Sequence, residues 1–206
     1  MKMRDRAGFD WKMTPEEINM LPIKKCEVPV RLIRTREEVI SAVEVLSDET
    51  VLGFDTETKP AFKKGQAHPT ALIQLAGREA VYLFQLRESN LPKMLRDIFS
   101  NPGVIKAGVA LNDDVKKLQQ LTFFKKSGFV DLGDAARQAG IKNHGLRGLA
   151  AVLLGFRITK KARLSNWSRE TLSKAQVKYA ATDAWVSRKL YSRLEEVRMG
   201  NLCVSR

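Results

Sequence analysis

Four carboxylates and one phenol stand where the surrounding pattern of this 206-residue chain calls for apolar side chains. Asp55-Thr56-Glu57 ends the apolar run Val51-Leu52-Gly53-Phe54. Residues two apart in a strand project to the same face, about 6–7 Å apart along it. Two acids side by side at the end of a buried strand repel by roughly 4 kcal/mol at ~4 Å and intermediate dielectric. Two readings are open: a divalent cation offsets that repulsion, or the strand simply emerges into solvent there. Asp114 is the second case. Leu111, Val115 and Leu118 fall on one helical face, and Asp114 lies on that stripe, three after Leu111 and four before Leu118. Asp113 is turned about 100° away, toward water. The third case is the stripe Tyr179, Asp183, Val186, Leu190 and Leu194, apolar except at its first two members. Spaced i, i+4, Tyr179 and Asp183 can reach the same point; a core tyrosine bonded to an aspartate is the plainer alternative. Taken together, four acids on three core elements would be costly as a purely structural arrangement. Hard ions such as Mg²⁺ prefer oxygen ligands, and paired ions sit about 3.5–4 Å apart.

The elements that must position these groups follow from capping and periodicity. Thr14-Pro15-Glu16-Glu17 has the pattern of a capping box with proline at the first helical position, so a short helix is predicted within an extension of about 26 residues. Strands are predicted over 28–34, 50–58, 71–76, 80–85 and 104–109. Thr35 caps a helix running to about Leu46, and further helices are predicted over 91–99, 113–121, 131–139 and 146–154. Ser173, with Gln176 three residues on, opens a last helix that continues to about Arg198. Strands clustered early, then alternation, then mostly helices give an α/β fold, a mixed sheet with helices on both faces. The strand 50–58 is central, because both of its sides are apolar.

Composition narrows the function classes. Lys and Arg total 36 against 23 Asp and Glu, a formal charge of +13, which points to a polyanionic partner or to a basic surface that serves solubility. Between Phe156 and Lys178 lie Arg157, Lys160, Lys161, Arg163, Arg169, Lys174 and Lys178 against the single acid Glu170. Hydroxyls, Asn166 and Trp167 interleave with them, a mixture suited to phosphates beside a flat surface for a base. No apolar run approaches the ~20 residues of a membrane span, and the charged opening is not followed by an apolar stretch. Neither a membrane protein nor a secreted one is expected. Cys26 and Cys203 show no metal or redox spacing, so a reducing, cytoplasmic setting is expected. Asp131 and Asp134 read as helix caps, and His68 and His144 as loop residues.

Phe54-Asp55-Thr56-Glu57, then Gly108-Val109 followed by Asp114 with Leu118, then Tyr179-Ala180-Ala181-Thr182-Asp183-Ala184 resemble the three motifs of the DEDDy 3′–5′ exonucleases, the ribonuclease D and Werner-type branch. Leu164-Ser165-Asn166-Trp167-Ser168, with Leu172 and Gln176, also resembles the approach to the third motif in Werner-type domains. The resemblance runs from about Val28 to Arg198 and implies a nuclease domain over residues 27–206. It further implies a ribonuclease H-like fold with a five-stranded mixed sheet. Asp55, Glu57, Asp114 and Asp183 would bind two Mg²⁺ or Mn²⁺ ions, and Tyr179 would position the attacking water. Lys178 stands where a histidine subclass has its histidine, so the tyrosine subclass fits.

The implied reaction is phosphodiester hydrolysis at a free 3′ end of nucleic acid, releasing nucleoside monophosphates. Lys160, Lys161, Arg163, Asn166, Trp167 and Arg169 are the candidate nucleic-acid contacts, with Trp167 either stacking on a base or packing in the core. The Werner-like approach, and a chain ending too soon for the helical accessory domain of ribonuclease D-type enzymes, tilt the expected substrate toward DNA. The alternatives are ribonuclease D-like RNA processing and a binding domain without catalysis. A fused helicase is not expected, so a separate protein such as a helicase is a candidate partner; the sequence leaves the oligomeric state open.

Overall fold

The computed structural model describes residues 11–61, 63, 65–86, 91–159 and 162–200. Lys160, Lys161 and Cys203 lie outside the described residues. The elements run α1 (Pro15–Met20), β1 (Val30–Ile33), α2 (Arg36–Ser47), β2 (Val51–Thr58), β3 (Thr70–Ala76), β4 (Val81–Gln85), α3 (Lys93–Ser100), β5 (Ile105–Gly108), α4 (Leu111–Leu121), β6 (Phe129–Asp131), α5 (Leu132–Gln138), α6 (Leu146–Leu154) and α7 (Lys174–Arg198). Three capping boxes form as their sequences require. Thr14, Thr35 and Ser173 each accept from the amide three residues on, and Glu17, Glu38 and Gln176 bond back.

The strands form one sheet in the order β1-β4-β3-β2-β5-β6. Only β3 runs against the rest, pairing antiparallel with β2 and β4, while β1–β4, β2–β5 and β5–β6 are parallel. The sheet therefore has six strands where five were expected. The extra strand is three residues long, too short to show an alternating pattern, and its last residue doubles as a helix cap.

Helices cover both faces. Leu52 and Phe54 of β2 join Ile73, Leu75, Tyr82 and Phe84 against α2, α3 and α4. Leu72, Leu83 and Ala107 face the other way, against α5, α6 and α7. Helix α7 crosses β2 in backbone contact. A Cβ on Gly53 would collide with the Ala184 carbonyl oxygen and lie 2.8 Å from the Arg188 nitrogen. Arg188 fixes the crossing by donating from Nε to the Val51 carbonyl at 3.1 Å and pairing with Glu49 at 3.2 Å. A second close approach is at Gly108, where a Cβ would meet the Phe54 carbonyl and the Leu111 side chain.

Lys106 on β5 is fully buried, and its ammonium donates to the Ile98, Asn101 and Val104 carbonyls at 3.0, 2.9 and 2.7 Å. It thereby satisfies the carboxyl end of α3, where a cation also complements the helix dipole. Burial lowers its pKa to about 8.

The described part of the extension is docked on the body. Met13 and Ile18 are buried against Ala151, and Asn143 exchanges two hydrogen bonds with the Met13 backbone at 2.9 and 3.1 Å. Ile23 forms a parallel bridge with Arg157. No helix among the described residues is long and apolar enough to cross a membrane.

Candidate active site

Because β2, β5 and β6 are parallel, their carboxyl ends line up along one edge of the sheet, the usual place for a ligand crevice in such a fold. Asp55 and Glu57 share a face of β2 with Gly53, and Gly53 touches α7, so both acids point toward that helix. Asp183, the residue before Ala184, meets them there. Oxygens of Asp55, Glu57 and Asp183 lie within 4.8 Å of one another. Asp183 is 5% exposed, and its Oδ1 has no hydrogen-bond partner. One turn earlier on α7, Tyr179 hydrogen-bonds Asp183 through its hydroxyl.

Asp114 arrives from the opposite face of the sheet. It lies in the first turn of α4, which starts beyond β5, and its Oδ1 accepts a 2.7 Å hydrogen bond from the Thr56 hydroxyl. Thr56 is the residue between the two acids, and its side chain projects to the other face of β2. A register shift between Glu57 and Thr58 bends the strand just past the acids. Asp131 sets the start of α4. Its Oδ2 accepts from the Leu111 amide at 3.0 Å, while Oδ1 caps α5 through Gly133 and Asp134 at 2.8 and 3.2 Å. Asp113 lies in solvent, 3.9 Å from Lys116. Thr56 and Asp131 thus position Asp114, a role that motif spacing left unread. The available signals were the middle residue of the Asp-x-Glu triplet and a helix cap at a strand end.

Among the described residues, none of the four carboxylates forms an ion pair, and the electrostatics show the cost. Burial, then the charges of Asp183 and Asp114, holds Asp55 well above the usual carboxylate range. Glu57 is pushed up to about 9 by burial and by Asp55, Asp183 and Asp114. Burial raises Asp183 to about 7 against the lowering effect of the Tyr179 hydrogen bond. Asp114 is raised by burial, partly offset by the Thr56 hydroxyl and Lys117. Burial and the neighbouring acids also raise Tyr179, so its phenol keeps its proton. Closely spaced oxygens, an orphaned buried acceptor and uncompensated charge are what a hard divalent cation would satisfy, so the residues present fit such an ion.

The candidate nucleic-acid contacts divide. Arg163 is exposed beside the acids, and its charge opposes the rise at Glu57. Together with Arg147, Tyr179 and Asp183 it lines a small cavity of about 180 Å³. Asn166 is exposed, and its side chain accepts from the Ser168 amide. Arg169 is exposed at a separate cavity with Pro69, Thr70 and Gln85. Trp167 does not fit the stacking role. It is fully buried, with its ring 6.0 Å from that of Tyr179, and leaves no face for a base. Its indole supports the phenol from behind.

A family model described as 3′-5′ exonuclease matches residues 30–198. The chain is 36% identical over 155 residues to the mouse bifunctional 3′-5′ exonuclease/ATP-dependent helicase WRN, covering 72% of this chain but 11% of that protein. To an Arabidopsis thaliana 3′-5′ exonuclease it is 30% identical over 169 residues, covering 78% of this chain and 59% of the relative. The chain thus spans only part of each relative's length. In fold it is similar to the Aedes aegypti Nibbler EXO domain, with a TM-score of 0.77 at 24% identity over 86% of this chain and 94% of that one. It is also similar to Escherichia coli RNase D, with a TM-score of 0.76 at 20% identity over 84% of this chain and 46% of that one.

Proposed function

Because this chain belongs to the 3′–5′ exonuclease family, we propose that it removes nucleoside monophosphates from the 3′ end of nucleic acid by metal-dependent phosphodiester hydrolysis. Residues 27–206 form the nuclease domain in this reading, and residues 1–26 form its extension. The observation that carries it is the convergence of Asp55, Glu57 and Asp183 within 4.8 Å beside Tyr179.

Asp55, Glu57, Asp183 and Asp114 are the groups to hold Mg²⁺ or Mn²⁺, with two ions as the proposed number. Bound ions would supply an activated water and stabilise charge on the leaving 3′ oxygen. Tyr179 retains its proton at neutral pH, so it acts as a hydrogen-bond donor that orients the nucleophile. Arg163 stands beside Glu57 with a positive charge for the substrate phosphate. Thr56 and Asp131 keep Asp114 at the crevice. Likeness to the exonuclease/helicase of mouse favours a separate helicase as tethering partner, and the Werner-like approach to the third motif, Leu164 to Ser168, inclines the proposed substrate toward DNA. A reducing, cytoplasmic setting suits a chain with no metal or redox spacing between its cysteines. RNA is the second reading, favoured by the fold likeness to RNase D, which is described as an exoribonuclease involved in structured RNA processing.

The test is digestion of matched 5′-labelled DNA and RNA strands with Mg²⁺ or Mn²⁺. A ladder of products shortened from the 3′ end is expected, abolished by chelation and by Asp55→Asn. Faster loss of the DNA strand supports the first reading, and faster loss of the RNA strand supports the second. Binding without shortening in either metal would leave a non-catalytic nucleic-acid-binding domain.

A further inference from the structure

A cavity of about 780 Å³ lies outside the carboxylate crevice, between α6, the start of α7 and the docked extension. Its charged lining consists of Lys24, Lys25, Arg147, Arg157 and Lys178, five cations with no carboxylate among them. It shares Arg147, Ile158, Thr159 and Tyr179 with the small cavity that reaches Asp183, so the two adjoin at the site.

One wall of the larger cavity comes from Ile23, Lys24 and Lys25, upstream of the segment matched by the family model. That wall is built, not loosely laid. The Arg157 amide donates to the Pro22 carbonyl at 2.9 Å, and the Lys24 amide donates to the Arg157 carbonyl at 3.0 Å. Arg157 Nε donates to the Leu21 carbonyl at 3.0 Å, and the Cys26 amide donates to the Thr182 hydroxyl at 3.0 Å, one residue from Asp183. These bonds hold Lys24 and Lys25 at a fixed place relative to the acids while both side chains stay exposed. The Lys24 ammonium lies 5.6 Å from the centre of the Phe156 ring and 3.5 Å from the exposed Glu27. Such a geometry gathers positive charge around a cavity that adjoins the reaction centre.

We propose that this groove binds the phosphodiester backbone of the substrate strand away from its terminal nucleotide, and that the extension supplies Lys24 and Lys25 for that purpose. The inference rests on the exonuclease reading for the identity of the strand, but its contacts are measurable without cleavage. Phosphate contacts by cations release counterions, so affinity falls with salt at a slope of about −0.7 per contact on a single strand.

The test is fluorescence anisotropy in excess chelator with labelled oligothymidylate and oligouridylate of about 12 nucleotides. The unmodified chain is compared with Lys24→Gln/Lys25→Gln and with the control Lys125→Gln/Lys126→Gln. The control lysines are exposed beyond the far end of α4, an 11-residue helix that starts at the site and carries them roughly 16 Å away. At about 50 mM salt the first variant should bind about tenfold more weakly, with a salt slope shallower by about 1.4. The control should match the unmodified chain. Equal affinities and slopes for the two variants would overturn the groove. If the chain cleaves no strand in either metal but the first variant still loses affinity and slope, the groove stands and the exonuclease reading falls.

Discussion

Without divalent metal, the stability of this protein should fall as pH rises through neutrality, and metal should abolish that fall. Glu57 is held at about 9 against an ordinary value of 4.5, and Asp183 at about 7 against 3.8. An acid whose pKa is raised by folding binds its proton more tightly in the folded state. The stability this contributes is complete below the ordinary value and is lost as pH climbs through the folded one. For Glu57 that window runs from 4.5 to about 9, and for Asp183 from 3.8 to about 7. Raising the pH from about 6 to 8.5 would cost the metal-free protein at most about 3 kcal/mol through Glu57, and water reaching the half-buried carboxyl reduces this. For a chain of this size each 1 kcal/mol is worth roughly 2–4 °C, so the Glu57 contribution alone should lower the melting temperature by several degrees and by no more than about 12 °C, with Asp183 adding to the fall. Metal at about 100 times its Kd adds about 2.7 kcal/mol and keeps the acids ionised, which flattens the dependence.

Thermal melts in chelator and in Mg²⁺ at the two pH values measure the effect. Glu57→Gln serves as a reference that cancels the titration of the rest of the chain. A wild-type curve that stays level or rises in chelator relative to Glu57→Gln would refute the reasoning, as would an equal fall with metal present.

Three further outcomes test how the site is assembled. Thr56→Val removes the hydroxyl that Asp114 accepts from. It should weaken metal affinity by about 10–100-fold in titration calorimetry, with Thr56→Ser close to wild type. Gly53→Ala forces a methyl into the Ala184 carbonyl and lifts α7 from β2, so urea unfolding should show a loss of about 3 kcal/mol or more, together with loss of activity. Tyr179→Phe keeps the ring against Trp167 but removes the donor. Its kcat should fall by about 10² without a new ionisation in the pH–rate profile, because the phenol does not titrate near neutrality.

What the sequence determined by itself was local. The capping boxes at Thr14, Thr35 and Ser173 span four residues each, and all three form. The pairings of Asp55 with Glu57 and of Tyr179 with Asp183 follow from strand and helix periods, and the structure joins both pairs in one site. Helix termini fell within a few residues of expectation for the same reason, since caps and periodicity act over single turns. Tertiary structure alone decided the rest. Nothing in the period of α4 says that Asp114 will hang on a hydroxyl 58 residues earlier, on the far face of a strand. Composition placed Trp167 among polar and basic neighbours, yet packing buries it completely under Tyr179. Lys106 lies in a predicted strand, and only packing brings the Ile98, Asn101 and Val104 carbonyls around its ammonium. The extension became a wall of the basic groove only through bonds to residues more than 100 positions away. Contacts between distant segments depend on how whole layers pack, and no local pattern encodes that depth.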